Sequence, residues 1–178
     1  MEIMPQEKVT YVSMEGDAGL HAAYEEALEE AARELGQRHP LMIGGREIYT
    51  EKEVEVRSPI DRDILIGTFQ VGGEEEAGRA FRAAQEAFPD WSGRSWRERA
   101  AVIRKIADLL EEDRYLLAAL ITLEVGKNRF EAVAEMGEAV DMLRYHADLY
   151  EKNQGYEVSL EPEAPGASGM SVMRPHGA

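Results

Sequence analysis

A chain of 178 residues is long enough to bury a sizeable core within one domain. Its 35 acidic against 20 basic side chains leave a net charge of −15, which repels phosphate backbones and anionic lipid headgroups within a Debye length of about 8 Å at physiological salt, so neither nucleic acid nor a membrane is an expected partner. The absence of cysteine excludes disulfides, thiolate metal sites and a thiolate nucleophile.

Residues 1–16 show no hydrophobic period and contain the breakers Pro5 and Gly16, so an extended arm is expected there. The start has neither a basic n-region nor an apolar h-region, and no run of ~18 apolar residues follows; the expected location is the cytoplasm. Asp17 is placed to cap a helix whose stripe is Leu20, Ala23, Tyr24, Ala27, Leu28, Ala31 and Leu35, with Gly36 as its left-handed terminator. Beyond Pro40, residues 41–43 and 46–49 flank Gly44-Gly45, a pattern for a tight hairpin. Val54 and Val56 alternate with charged residues, predicting a half-buried strand that Ser58-Pro59 ends. Residues 64–71 predict a second strand, and Gly72-Gly73 separates it from Glu74, Glu75 and Glu76, which open a helix at its positive end. A glycine pair before a helix can cradle a phosphate. Here three adjacent glutamates would repel a pyrophosphate and the G-x-G-x-x-G spacing is missing, so no nucleotide site is expected.

The next helix carries the stripe Ala77, Ala80, Phe81, Ala84, Ala87 and Phe88, and Pro89 is expected to end it. Ser95 and Glu98 form a capping box before a helix whose buried side should be Val102, Ile103, Ile106, Leu109 and Leu110. Trp91 and Trp96 bracket the join and read as core closures. Asp113 can cap a further helix that is apolar almost all round from Leu116 to Val125, which calls for cover on most sides. Gly126 breaks that run and Lys127-Asn128 make a polar turn.

The longest periodic stretch covers residues 123–150. Val133, Met136, Val140, Leu143, Ala147 and Tyr150 fall on one stripe, while Glu131, Glu135 and Glu138 stack on nearly the opposite side and repel one another by a few tenths of a kcal/mol per pair. That carboxylate face is either solvated or, in part, turned to a ligand. The helices should end near residues 153–155, and residues 156–160 and 170–174 have the composition of a long-looped hairpin. From pattern alone the chain is a helix-rich α+β domain with short strands. His21, His39, His146 and His176 are scattered without a Glu-x-x-His pair, and no serine sits in a G-x-S-x-G elbow, so neither a metal site nor a hydrolytic triad is expected.

The segments HPLMIGGREI, SPIDRDILIGTF, AFRAAQEAFPDW, WRERAAVIRKIADLLEE, LEVGKNRFEA and EAVDMLRYHA, in that order, resemble the 1-pyrroline-5-carboxylate dehydrogenases (L-glutamate γ-semialdehyde dehydrogenases) of the aldehyde dehydrogenase superfamily. The resemblance runs from about Asp17 to the end and covers only the amino-terminal part of that family's length. It implies an α/β fold, with residues 17–155 as the helix-rich amino-terminal part of the cofactor domain and residues 156–178 as a truncated hairpin reaching toward the oligomerisation region. It also implies NAD for the full-length enzyme and oxidation of L-glutamate γ-semialdehyde to glutamate in proline catabolism. The family's Pro-Trp-Asn-Phe-Pro motif, Rossmann-type cofactor site, catalytic glutamate and catalytic cysteine do not occur in this sequence. No catalytic, cofactor-binding or metal-binding residue is therefore carried over. Glu138, in EAVD, matches a glutamate beside the family's substrate site, whereas Lys127 suits a connecting turn. Arg129-Phe130 and His146 depart from the pattern. An inactive amino-terminal segment is the expectation, paired with its missing catalytic portion or as a homo-oligomer; the alternative is a stand-alone, non-catalytic binding or assembly module on that scaffold.

Overall fold

A computed structural model describes residues 17–162, 164–174 and 176–177, and the arm expected over residues 1–16 lies outside them. In chain order the elements are α1 (Ala18–Glu34), β1 (Gln37–His39), β2 (Leu41–Ile43), β3 (Arg46–Ile48), β4 (Glu53–Arg57), β5 (Leu65–Gln70), α2 (Glu74–Gly93), α3 (Trp96–Glu112), α4 (Arg114–Val125), α5 (Arg129–Lys152), a short 3₁₀ turn (Gln154–Tyr156), β6 (Glu157–Leu160) and β7 (Gly169–Val172). This is the helix-rich α+β arrangement expected from the pattern. The described residues divide into two compact units, the first made of those up to His39 with Val54–Phe69 and Leu109–Val140, and the second of Pro40–Glu53, Gln70–Asp108 and those from Asp141 onward.

The first unit is closed around α1, α4 and the first half of α5. The Asp17 carboxylate accepts from the backbone N–H groups of Gly19 (2.9 Å) and Leu20 (3.0 Å), satisfying donors that an uncapped helix would leave open. Leu20, Tyr24, Ala118, Ala132, Val133 and Met136 then form one buried cluster, and Ala27, Ala31 and Ala119 form a second. Alanines at these crossings let the helices approach closely. The Tyr24 hydroxyl, which would be costly to bury alone, is hydrogen-bonded to Thr122 Oγ1. α4 is less covered than its composition requires: Ala118 and Ala119 are fully buried, Leu116, Leu117, Leu120, Ile121 and Leu123 are half-buried, and Val125 is exposed. Asp113 does stand before α4, but its side chain makes no capping bond. The backbone carbonyl of Asp113 instead accepts from the Leu117 N–H at 3.0 Å.

The sheet order is β1-β5-β4. β1 runs parallel to β5, with Gln37 opposite Gly67 and His39 opposite Phe69, and the His39 and Phe69 rings stack at 4.7 Å. β4 forms where the alternation placed it but is not half-buried, since Val54 is 48% exposed and only Val56 is partly covered. β4 therefore stands as a largely exposed edge. Ser58, fully buried, ties the following turn down: its hydroxyl donates to the Leu123 carbonyl (2.5 Å) and accepts from the Ile60 N–H (3.2 Å).

In the second unit β2 and β3 make the expected antiparallel hairpin, with Gly44 and Gly45 at φ of 58° and 73°, a turn that glycine adopts without strain. Gln70 binds two neighbours, its Oε1 accepting from the Thr50 N–H (2.6 Å) and its Nε2 donating to Glu53 (2.7 Å). α2 does not stop at Pro89; it runs on to Gly93 with the proline inside it. A proline costs one backbone bond to the preceding turn, and the last turn compensates with Ser92 Oγ donating to the Pro89 carbonyl (3.3 Å) and an Arg94–Asp90 ion pair (2.9 Å). The expected apolar stripe of α2 is not buried: Ala77, Ala80, Phe81, Ala84 and Ala87 are all exposed. α3 also departs from expectation, burying Ala100 and Ala107 while Val102, Ile106 and Leu109 stay exposed. Trp91 is exposed as well, so only Trp96 acts as a closure. Trp96 lies against Gly155, whose φ is 71° and where a Cβ would fall 2.5 Å from Trp96 Cδ1. Arg104 joins α3 to α5 through Asp148 (2.7 Å) and Glu151 (2.6 Å), and Arg144 reaches Asp108 at 3.2 Å. β6 and β7 pair antiparallel, from Glu157 opposite Val172 to Leu160 opposite Gly169, with every residue of both strands exposed.

Candidate functional site

α5 is oriented by its start and by its buried stripe. Asn128, expected only as part of a polar turn, is its cap: Oδ1 accepts from the N–H groups of Phe130 and Glu131, both at 3.1 Å. Ala132, Val133, Met136 and Val140 are buried, and at 100° per residue this turns Glu131, Glu135 and Glu138 outward. All three are exposed, and their surroundings differ. Glu131 sits in the first turn, where the helix dipole favours a negative charge. Glu135 is ion-paired with Lys127. Neither the Glu131 nor the Glu138 side chain makes a hydrogen bond or ion pair among the described residues, so both carboxylates are open to accept from an ammonium or hydroxyl group, Glu138 from beyond the first turn.

Sequence reasoning missed Arg129. Its Nη2 donates to Glu25 (2.6 Å), Nη1 lies 3.1 Å from His21 Nδ1, and the guanidinium stands 5.1 Å over the Tyr24 ring, while Phe130 meets the His21 ring edge-on at 5.6 Å. Two of the residues that break the family pattern, Arg129 and Phe130, thus clasp α5 to α1. The only sequence signal was the i, i+4 pair His21 and Glu25 on one face of α1.

The glycine pair at the start of α2 is closed to phosphate. Glu76 folds back so that its carboxylate accepts from the Gly73 N–H at 2.8 Å. That bond, followed by one from its own N–H, holds the Glu76 carboxyl below the usual glutamate range. An anion already occupies the helix end, with Glu74 and Glu75 beside it, so these residues do not fit a dinucleotide pyrophosphate. Among the described residues no three His, Asp or Glu side chains converge as a metal site would require.

The model of the aldehyde dehydrogenase family matches residues 48–178. The chain is 34% identical over 141 residues to 1-pyrroline-5-carboxylate dehydrogenase 1 of Halalkalibacterium halodurans, covering 79% of this chain and 27% of that protein. It is 38% identical over 125 residues to the 1-pyrroline-5-carboxylate dehydrogenase of Bacillus pumilus, covering 70% and 24%. Among solved structures, 1-pyrroline-5-carboxylate dehydrogenase from Thermus with bound NAD aligns with a TM-score of 0.80 at 29% identity, over 91% of this chain and 31% of that one. The chain spans about a quarter of the length of the curated relatives it matches.

Proposed function

The chain belongs to the aldehyde dehydrogenase family, and we propose that it is the amino-terminal portion of an NAD-dependent 1-pyrroline-5-carboxylate dehydrogenase acting in proline catabolism in the cytoplasm. The observation that carries this reading is the likeness of fold over 91% of the chain to the NAD-bound Thermus enzyme. The complete enzyme oxidises L-glutamate γ-semialdehyde to glutamate, with NAD taking the hydride. This chain contributes scaffold rather than chemistry, because it has no cysteine to attack the aldehyde and its one glycine pair before a helix is filled by Glu76. In this reading residues 17–155 belong to the cofactor domain and the β6–β7 hairpin serves oligomerisation. Glu138, exposed and without a side-chain partner, shapes the substrate pocket.

The test is NADH formation from glutamate γ-semialdehyde, first with the purified chain and then with the chain joined to a downstream portion that supplies the cysteine. No turnover is expected from the chain alone and turnover is expected from the joined protein, in which Glu138→Ala should raise KM more than it lowers kcat. Turnover by the chain alone overturns the reading. An adjoining coding sequence unrelated to this family would favour a stand-alone assembly module instead.

A further inference from the structure

The second unit holds a cavity of about 430 Å³, within the size range of small-molecule sites. Its walls are mainly carbon: Trp91 at the end of α2, Ile103 of α3, Leu143 and Tyr150 of α5, and Tyr156 beyond. Two polar side chains are set into them, His146 and Arg99, and Arg99 is the permanent cation of the two. Its Nη2 donates to Tyr150 Oη at 2.8 Å, and its Nη1 donates to the Arg94 carbonyl and, at 3.5 Å, to that of Ser92. All of these acceptors are neutral. Arg94, Arg104 and Arg144 in the same unit each have a carboxylate partner, whereas among the described residues none lies within ion-pair distance of Arg99. A half-buried guanidinium lacking a counter-charge keeps a positive potential that apolar walls screen poorly. Tyr150 adds to it: by accepting from Arg99 its hydroxyl leaves its own proton free to donate, and the neighbouring cation strengthens that donor.

Flat aromatic walls call for a flat apolar body, and an uncompensated cation beside a phenol donor calls for an anionic oxygen. We propose that this cavity binds a small aromatic carboxylate, the ring lying among Trp91, Tyr150 and Tyr156 and the carboxylate directed at Arg99 and the Tyr150 hydroxyl. Glu138 is not among the residues that line this cavity, and the proposal does not depend on the enzymatic reading of the chain.

Titration of the full chain with benzoate, followed by tryptophan fluorescence and by thermal unfolding, tests it against benzamide, which has the same ring without the charge. Benzoate is expected to give a saturable quench and a rise in Tm, with benzamide roughly tenfold weaker, the ratio a charge-assisted hydrogen bond supplies over a neutral one. Trp91→Phe, at an exposed wall, should remove most of the quench while leaving the rise in Tm. Arg99→Gln should abolish the preference for benzoate; because Arg99 also holds carbonyls of the α2–α3 join, Tyr150→Phe, which keeps the ring and deletes the donor, is the second variant and should lower it. Equal responses to benzoate and benzamide, or no saturable response at millimolar benzoate, overturn the proposal.

Discussion

In the first unit Tyr24 of α1 and Val133 of α5 are each 1% exposed, closed in one cluster with Ala118 of α4. In the second, Phe81 of α2 and Ile106 of α3 occupy stripes of the same helical period and are 50% and 41% exposed. Both sets are apolar residues repeated every three or four positions, so the difference is not one of pattern. It is one of what stands opposite: α1 meets α4 and α5 across alanines, whereas among the described residues the alanine strip of α2 and the Val102–Ile106 side of α3 stay exposed. Apolar surface left open at helical period marks where a further surface binds, and on the reading proposed above that surface belongs to the rest of the enzyme.

The comparison can be broken most severely at a tight joint of the second unit, where Trp96 meets Gly155. Gly155→Ala forces a Cβ onto Trp96 and a side chain into a left-handed conformation, so a loss of about 2–5 kcal/mol in urea unfolding is expected from overpacking and backbone strain together. A loss under about 1 kcal/mol would mean that the second unit is loose even there. The middle-sized effect is the contrast itself. Val133→Ala should cost about 2 kcal/mol through lost burial and a residual cavity, while Phe81→Ala should stay within about 0.5 kcal/mol. Equal losses would show that the α2 stripe is covered in solution, and light scattering would then identify the cover as a second copy.

The smallest effect is in the acid limb. Glu98 is held below the usual glutamate range by the Ser95 hydroxyl and then by the Ser95 N–H, and Glu76 by the Gly73 N–H. A carboxyl whose pKa is lowered on folding gives stability that is fully present above its unfolded pKa and is lost as pH falls through the lower folded value. Melting followed from neutral pH downward should therefore show α2 and α3 weakening below the ordinary glutamate pKa, with Glu98→Gln and Glu76→Gln flattening the slope. Unchanged slopes in both variants would remove the caps from the account.

Local devices were readable in advance because each needs only a few neighbouring residues: Asp17 reaching Gly19 and Leu20, Ser95 reciprocating Glu98, Gly44-Gly45 reversing a hairpin. Asp113 shows the limit, since the right residue at the right position makes no side-chain bond. For the candidate site, the outward direction of Glu138 followed from the period of α5, but the clasp of Arg129 onto His21 and Glu25 joins residues more than 100 positions apart, and the spacing of His21 and Glu25 on α1 does not say what they meet.

The sequence by itself determined where helices occur, the caps at Asp17 and Ser95, the faces that are apolar, the family resemblance and the lack of a nucleophile, all properties of residue type and short spacing. Tertiary structure alone decided that Gln37–His39 is a strand, because its pairing partner lies thirty residues away at Gly67–Phe69. It alone decided that α2 continues through Pro89, that Val54 faces solvent, and that Arg99 stands in an aromatic cavity with no carboxylate among the described residues paired to it. Those outcomes depend on which surface arrives from elsewhere in the chain, and burial free energy belongs to the pair of surfaces rather than to either one.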